Sequence, residues 1–157
     1  MATLSSFKAD TKAINDGAWV RVNESMYGDL EILTRGLTDQ FIDTQKARLR
    51  AAARPYGNDQ EQIPNAVMRE INAELLRNFL VLDVRNLKDD DGNVVQVAEF
   101  HGLLGDPAYN QLARACWDAA FRVSQQSAEQ VEGATKNSPR PSRQNSNGGL
   151  HPNSAQP

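Results

Sequence analysis

Residues that build cross-linked or metal-bound scaffolds are scarce in this chain of 157 residues. It has one cysteine, Cys116, and two histidines, His101 and His151. One cysteine cannot form an intrachain disulfide bond, and these three residues cannot supply the four ligands of a usual structural zinc site. The composition therefore predicts neither a disulfide framework nor a protein-built zinc site.

Long apolar runs and a strong net charge are also missing. No apolar run approaches the roughly 20 residues that a membrane-spanning helix needs. Aromatic residues make up 6% of the chain, and the net charge is −3 with a pI of about 5.4. A mildly acidic chain is not attracted to nucleic acid or to an anionic lipid surface by charge. We therefore expect no membrane partner and no nucleic-acid partner.

Sequence motifs of common enzyme classes are absent too. The chain has no GxxxxGK[ST] phosphate loop, no GxGxxG, no His-Glu-x-x-His and no GxSxG. These absences predict a protein that is not an enzyme and has no cofactor. A nucleophile pair of Cys116 and His101, or an acidic cleft, stays open as an alternative. The favoured interpretation places Cys116 on the apolar face of a helix as a small hydrophobic residue.

The composition changes sharply near residue 133. Residues 133–157 are rich in Pro, Ser, Asn and Gly and carry three basic residues and no acidic residue. Such a segment buries too little apolar surface to offset its ordering entropy. We therefore predict one folded domain over residues 1–132, with net charge −6, and a disordered tail over residues 133–157, with net charge +3.

The pattern of apolar residues predicts an α+β fold. Residues 18–23 and 30–35 alternate between apolar and polar side chains around a Gly-Asp loop, which indicates an antiparallel β-hairpin over about residues 18–35. Helical spacing and capping residues then predict a mainly helical part. It has about four helices, over residues 38–54, 64–82, 98–104 and 107–132. The run Phe79 to Val84 is ambiguous between the end of a helix and a short strand.

An acidic turn follows this run. Three aspartates, Asp89 to Asp91, precede Gly92, as they do in some calcium loops. The spacing of an EF-hand would place Leu87 and Ala98 at the first and last ligand positions, where neither can bind through a carboxylate. An exposed turn is therefore the favoured interpretation.

The order of these elements resembles a family. The resemblance rests on the strand AWVRV, followed by LEILTRGLTDQFIDTQKARLR, and then on LVLDVRNLKDDDGNVVQVAEFHGLLGDPAYNQLARACWDAAFRV. This succession is similar to the tail assembly chaperones of long-tailed bacteriophages, also called minor tail proteins. The resemblance covers about residues 7–132.

The resemblance implies a non-enzymatic protein of the host-cell cytoplasm. Such chaperones bind the tape-measure protein, keep its long apolar helices soluble and recruit tail tube subunits, and they are expected to self-associate. The residues that we expect to contact partners are Trp19, Arg21, Leu33, Arg48, Arg50, Trp117 and Phe121. The alternative is a structural protein of the tail or of the head–tail junction, which would be present in the virion.

Overall fold

The computed structural model describes residues 1–126. They form an α+β fold in which a three-stranded antiparallel sheet packs against helices, as the sequence predicted. The elements in chain order are α1 (Thr11–Asp16), β1 (Ala18–Arg21), α2 (Glu24–Tyr27), β2 (Glu31–Thr34), α3 (Asp39–Ala53), α4 (Asn65–Leu75), β3 (Val81–Arg85), α5 (Val97–Leu103) and α6 (Asn110–Gln125). The short helices α1 and α2 were not predicted from the sequence. The predicted tail, residues 133–157, lies outside the described residues.

The predicted hairpin is present as strands β1 and β2. They pair antiparallel, with Ala18 opposite Thr34 and Arg21 opposite Glu31. Because side chains alternate along a strand, Val20 and Ile32 share one face and are 5% and 0% exposed. The short helix α2 occupies the loop, and Asn23 caps it by accepting a hydrogen bond from the Ser25 amide.

Strand β3 resolves the ambiguous run at residues 79–84. The chain leaves α4 through a five-residue π-helical turn, Leu76–Leu80, and enters the strand at Val81 without a loop. The Val81 amide donates to the Leu76 carbonyl and closes this wider turn. The predicted helix over residues 64–82 is therefore wrong at its end, because β2 offers a free edge to the residues after Leu80, and β3 pairs with it antiparallel.

The other helices follow their predicted bounds closely, except the last one. Thr38 caps α3 by accepting a hydrogen bond from the Phe41 amide. The predicted helix over residues 107–132 instead begins with a 3₁₀ turn and, as α6, ends at Gln125. Gln126 is extended, and its carbonyl accepts a hydrogen bond from the Asp10 amide, which ties the end of α6 to the N-terminal segment. Residues 127–132 lie outside the described residues.

One hydrophobic core joins the inner face of the sheet to the helices. Helix α6 packs on β1 and β2, and α5 packs on β3. The π turn contributes two buried leucines, Leu76 and Leu80, whereas Val67 of α4 is 38% exposed and lies outside the core. The largest fully buried side chain is that of Phe100 in α5. Among the described residues, no helix is long and apolar enough to cross a bilayer.

A tight junction at Gly36 connects the end of β2 with α1 and α6. The Gly36 amide donates to the Ile14 carbonyl at 2.9 Å, and the Leu37 amide donates to Ser124 Oγ at 2.7 Å. Ser124 Oγ donates in turn to the Ala120 carbonyl at 2.9 Å. These bonds hold the Ser124 hydroxyl in place, so a larger residue at position 36 cannot displace it freely.

We expect Gly36→Ala to lower the free energy of unfolding by about 1–3 kcal/mol. An alanine Cβ would lie 3.0 Å from both Ile14 Cγ2 and Ser124 Oγ. Urea unfolding followed by tryptophan fluorescence measures the change. The matched control is Gly102→Ala in α5, where an added Cβ would meet nothing within 4 Å. This substitution should stabilise the helix by up to about 1 kcal/mol. Equal effects of the two substitutions would contradict this account.

Candidate functional site

The outer face of the sheet brings together three of the predicted partner-binding residues. Trp19 in β1 lies opposite Leu33 in β2, and Arg21 lies two residues further along β1. Trp19 is 38% exposed although its ring is large and apolar. The helices α5 and α6 cover the inner face. An apolar centre thus lies on the face of the sheet opposite to α6.

Charged side chains surround this apolar centre. The Glu31 carboxylate, whose side chain is 14% exposed, pairs with Arg21 Nη2 at 3.5 Å and with Arg85 Nε. The Arg85 guanidinium also lies over the Trp19 ring, 4.2 Å from its centroid, as in a cation–π contact. This network places one carboxylate and two guanidinium groups beside the indole ring. We call this surface, formed by Trp19, Arg21, Glu31, Leu33 and Arg85, the outer sheet surface.

Two residues of the outer sheet surface were missed in the sequence analysis. Glu31 lies on the same face of β2 as Leu33 and opposite Arg21 of β1. Arg85 joins the surface because β3 pairs with β2 and places Arg85 opposite Glu31. Arg85 could have been found from the sequence by predicting a strand over Val81–Arg85 and pairing it with β2. Beyond it, Asn86 has a φ of 63° and donates from Nδ2 to the Asp29 carbonyl at 3.0 Å, which fixes the end of β3 to the hairpin loop.

The predicted arginines of α3 do not join the outer sheet surface. Arg48 Nη2 pairs with Glu74 Oε1 of α4 at 2.9 Å, and about half of the Arg48 side chain is exposed. An ion pair at this exposure contributes roughly 0–1 kcal/mol. Arg48 thus connects two helices, whereas Arg50 is exposed in the last turn of α3.

The predicted aromatic residues of α6 lie in two different environments. Trp117 is half-buried against Phe41, with ring centroids 6.0 Å apart. It also lines an open groove between α4 and α6, together with Arg69 and Arg114. Phe121 is 52% exposed. The seven predicted residues therefore do not form a single site, and Trp19, Arg21 and Leu33 are the ones that the sheet brings together.

Strand β1 forms one edge of the sheet. The Val22 amide donates to the Leu30 carbonyl at 3.2 Å. Because hydrogen-bonded positions alternate along an antiparallel pair, Val20 and Ala18 also bond to β2. Trp19 and Arg21 lie between these positions and direct their backbone N–H and C=O groups away from β2. Within residues 1–126 the backbone of Trp19 makes no hydrogen bond. The Arg21 carbonyl accepts from Arg122 Nη1 at 3.1 Å. This edge offers backbone donors and acceptors to an added strand.

Cys116 is a buried apolar residue of α6, as the favoured interpretation predicted. It is 0% exposed, and burial raises the pKa of its thiol to about 12. His101 lies in α5, and its Nε2 is 2.9 Å from the Val81 carbonyl, a bond that joins α5 to β3. The thiol is therefore protonated at neutral pH, and the imidazole is engaged with the backbone.

The acidic segment forms an exposed turn, as predicted. Asp89 accepts from both the backbone amide and the side-chain amide of Asn93, at 2.7 and 3.0 Å. The Asn93 side chain, followed by its backbone amide, holds the pKa of the Asp89 carboxyl below its usual range. Among residues 1–126, no group of three or more His, Cys, Asp or Glu side chains could hold a metal ion.

The chain was compared with family models, with curated proteins and with solved structures. None of the three comparisons finds a match. The function proposed below therefore rests on the sequence and on the geometry of the described residues.

We expect Cys116 to react with a thiol reagent such as DTNB only when the protein unfolds. At pH 8 the native thiol is both buried and protonated, so labelling should be slow without denaturant and fast in concentrated urea. The folded pKa is raised above the ordinary value of 9.0. Stability should therefore fall as the pH rises above about 9, because the unfolded thiol loses its proton first. Cys116→Ala is the control for this loss, and rapid labelling of the native protein would contradict the assignment.

Proposed function

We propose that this chain is a non-enzymatic tail assembly chaperone of a long-tailed bacteriophage. It acts in the cytoplasm of the host cell, binds the tape-measure protein and recruits tail tube subunits. Two kinds of support lead to this proposal. One is the resemblance in the order of elements, and the other is the outer sheet surface.

The outer sheet surface is the observation that carries the proposal. A chaperone of long apolar helices needs an apolar surface that remains accessible in its own fold. Trp19 and Leu33 provide such a surface on the face of the sheet opposite to α6. A helix that docks there would bury the indole ring, and tryptophan is among the residues that contribute most to binding at interfaces.

The charges around Trp19 support the same role. The Glu31 carboxylate and the guanidinium groups of Arg21 and Arg85 form a polar rim around the apolar centre. An apolar centre with a polar rim is typical of surfaces that bind a partner and are also exposed to water. The rim keeps the free chaperone soluble, and the centre provides the affinity.

Co-expression with a tape-measure protein tests the proposal. The tape-measure protein should stay soluble and elute as a complex with the full chain. Leu33→Asp should weaken this complex about 30-fold or more, because a charge replaces the apolar centre of the surface. Binding is measured by titration calorimetry on a soluble tape-measure fragment.

The matched control is Val67→Asp, which places the same charge on an exposed apolar position of α4. It should leave binding within about two-fold. Circular dichroism checks that both variants keep the fold, and Trp19→Thr provides a second, milder change of the outer sheet surface. A tape-measure protein that stays insoluble and forms no complex contradicts the proposal.

A structural virion protein of the tail or the head–tail junction is the second candidate. The outer edge of β1 pairs with no strand among residues 1–126, and this favours the structural role, since edge strands can join copies of a protein into larger assemblies. Mass spectrometry of purified virions separates the two functions. A chaperone should be absent or present in traces, whereas abundant copies would favour the structural role.

A further inference from the structure

Strand β1 presents an edge that is complementary to itself. Trp19 and Arg21 direct their backbone N–H and C=O groups away from β2, whereas Val20 between them bonds to β2. An added strand must therefore place its own outward-directed residues opposite Trp19 and Arg21. A second copy of β1 provides such residues with the same spacing.

We propose that two copies of this chain pair through β1, antiparallel and around a two-fold axis at Val20. In this register Trp19 lies opposite Arg21 of the second copy, and Val20 lies opposite Val20. Four backbone hydrogen bonds form, two between Trp19 and Arg21 on each side of the axis. The two sheets become one continuous sheet of six strands.

The side chains select this register over its neighbours. Pairing centred on Arg21 would place two guanidinium groups directly opposite each other, which is destabilising. Pairing centred on Trp19 would place Arg21 opposite Gly17, whose φ of 97° is outside the strand region. The register at Val20 uses strand residues throughout, and it places the exposed Arg21 guanidinium beside the exposed Trp19 ring, a favourable contact.

Arg122 controls access to this edge. Its Nη1 donates to the Arg21 carbonyl at 3.1 Å, and this carbonyl is the acceptor that the Trp19 amide of the second copy would use. The guanidinium therefore competes with the incoming strand. Removing it should strengthen pairing by exposing the acceptor.

The resemblance implies self-association without an interface, whereas the hydrogen-bonding pattern of β1 gives the interface and its register, and the test needs no partner protein. In the continuous sheet, the outer sheet surfaces of the two copies lie side by side, with both Trp19 rings near the axis. This arrangement would double the apolar platform that an extended helix could use. A dimer could form even if the chain binds no tape-measure protein.

Cysteine cross-linking of the full chain tests the register. Val20 would lie opposite its copy at a non-hydrogen-bonded position, where the Cα atoms are about 4.5 Å apart and a disulfide can form. Val20→Cys should give a disulfide dimer under mild oxidation. Val22→Cys is the matched control, because Val22 is equally buried on the same face but would lie several residues from its copy. The wild-type chain should give no disulfide-linked dimer, since Cys116 is buried.

A second experiment tests the backbone hydrogen bonds. Arg21→Pro removes an outward N–H and no bond to β2, and an edge strand can accept proline at such a position. Arg21→Ser removes the same side chain but keeps the N–H. Sedimentation equilibrium of the full chains should show dimerisation at least about ten-fold weaker for Arg21→Pro than for Arg21→Ser. Arg122→Ala should dimerise several-fold more strongly than wild type.

Three results would overturn the proposal. The first is a Val20→Cys chain that folds and stays monomeric under oxidation. This result would mean that a second copy of the chain does not pair with the edge of β1. The second is a Val22→Cys chain that cross-links as readily as Val20→Cys. The third is equal dimerisation of Arg21→Pro and Arg21→Ser, which would place the interface on another surface.

Discussion

The hydrogen bond from the Val81 amide to the Leu76 carbonyl closes the π turn that converts α4 into β3. Because no loop separates the two elements, the end of α4 determines where β3 meets β2. That meeting places Arg85 opposite Glu31 and its guanidinium over the Trp19 ring. The same turn buries Leu76 and Leu80 under the sheet. One local widening of a helix thus sets both the core beneath the sheet and the charges on its outer face.

The sheet has two faces with different tasks. Its inner face is apolar and packs on α5 and α6, and this packing holds the fold together. Its outer face combines the apolar pair Trp19 and Leu33 with the ion pairs of Glu31, and it contributes little to the core. A small domain that can place such a surface on a rigid sheet can bind a partner without reorganising its core. The edge of β1 lies next to this surface, and we propose that it pairs with a second copy of the chain.

Much of the fold could be predicted from the sequence because its signals are local. Apolar and polar side chains alternate around Val20 and around Ile32, and this alternation predicted the two strands of the hairpin. Thr38 predicted the start of α3 within one residue. Cys116 was correctly placed on an apolar helix face. The third strand could not be predicted with the same certainty, since Phe79 to Val84 suits a helix or a strand equally and only pairing with β2 decides between them. The candidate site was predicted in part: Trp19, Arg21 and Leu33 do meet, whereas Arg48 is engaged with Glu74.

The sequence by itself determined the α+β class, the hairpin over about residues 18–35 and the scarcity of metal-ligating residues, because these depend on residue types and on their spacing along the chain. Only the tertiary structure decided that Arg85 lies over Trp19, that Arg122 reaches the carbonyl of Arg21 and that Gly36 has no room for a side chain. Each of these contacts joins residues that are far apart in sequence, and no local pattern encodes such a distance. The outer sheet surface depends on both. Alternation along the strands determines which side chains face outward, and tertiary packing determines which charged groups surround them.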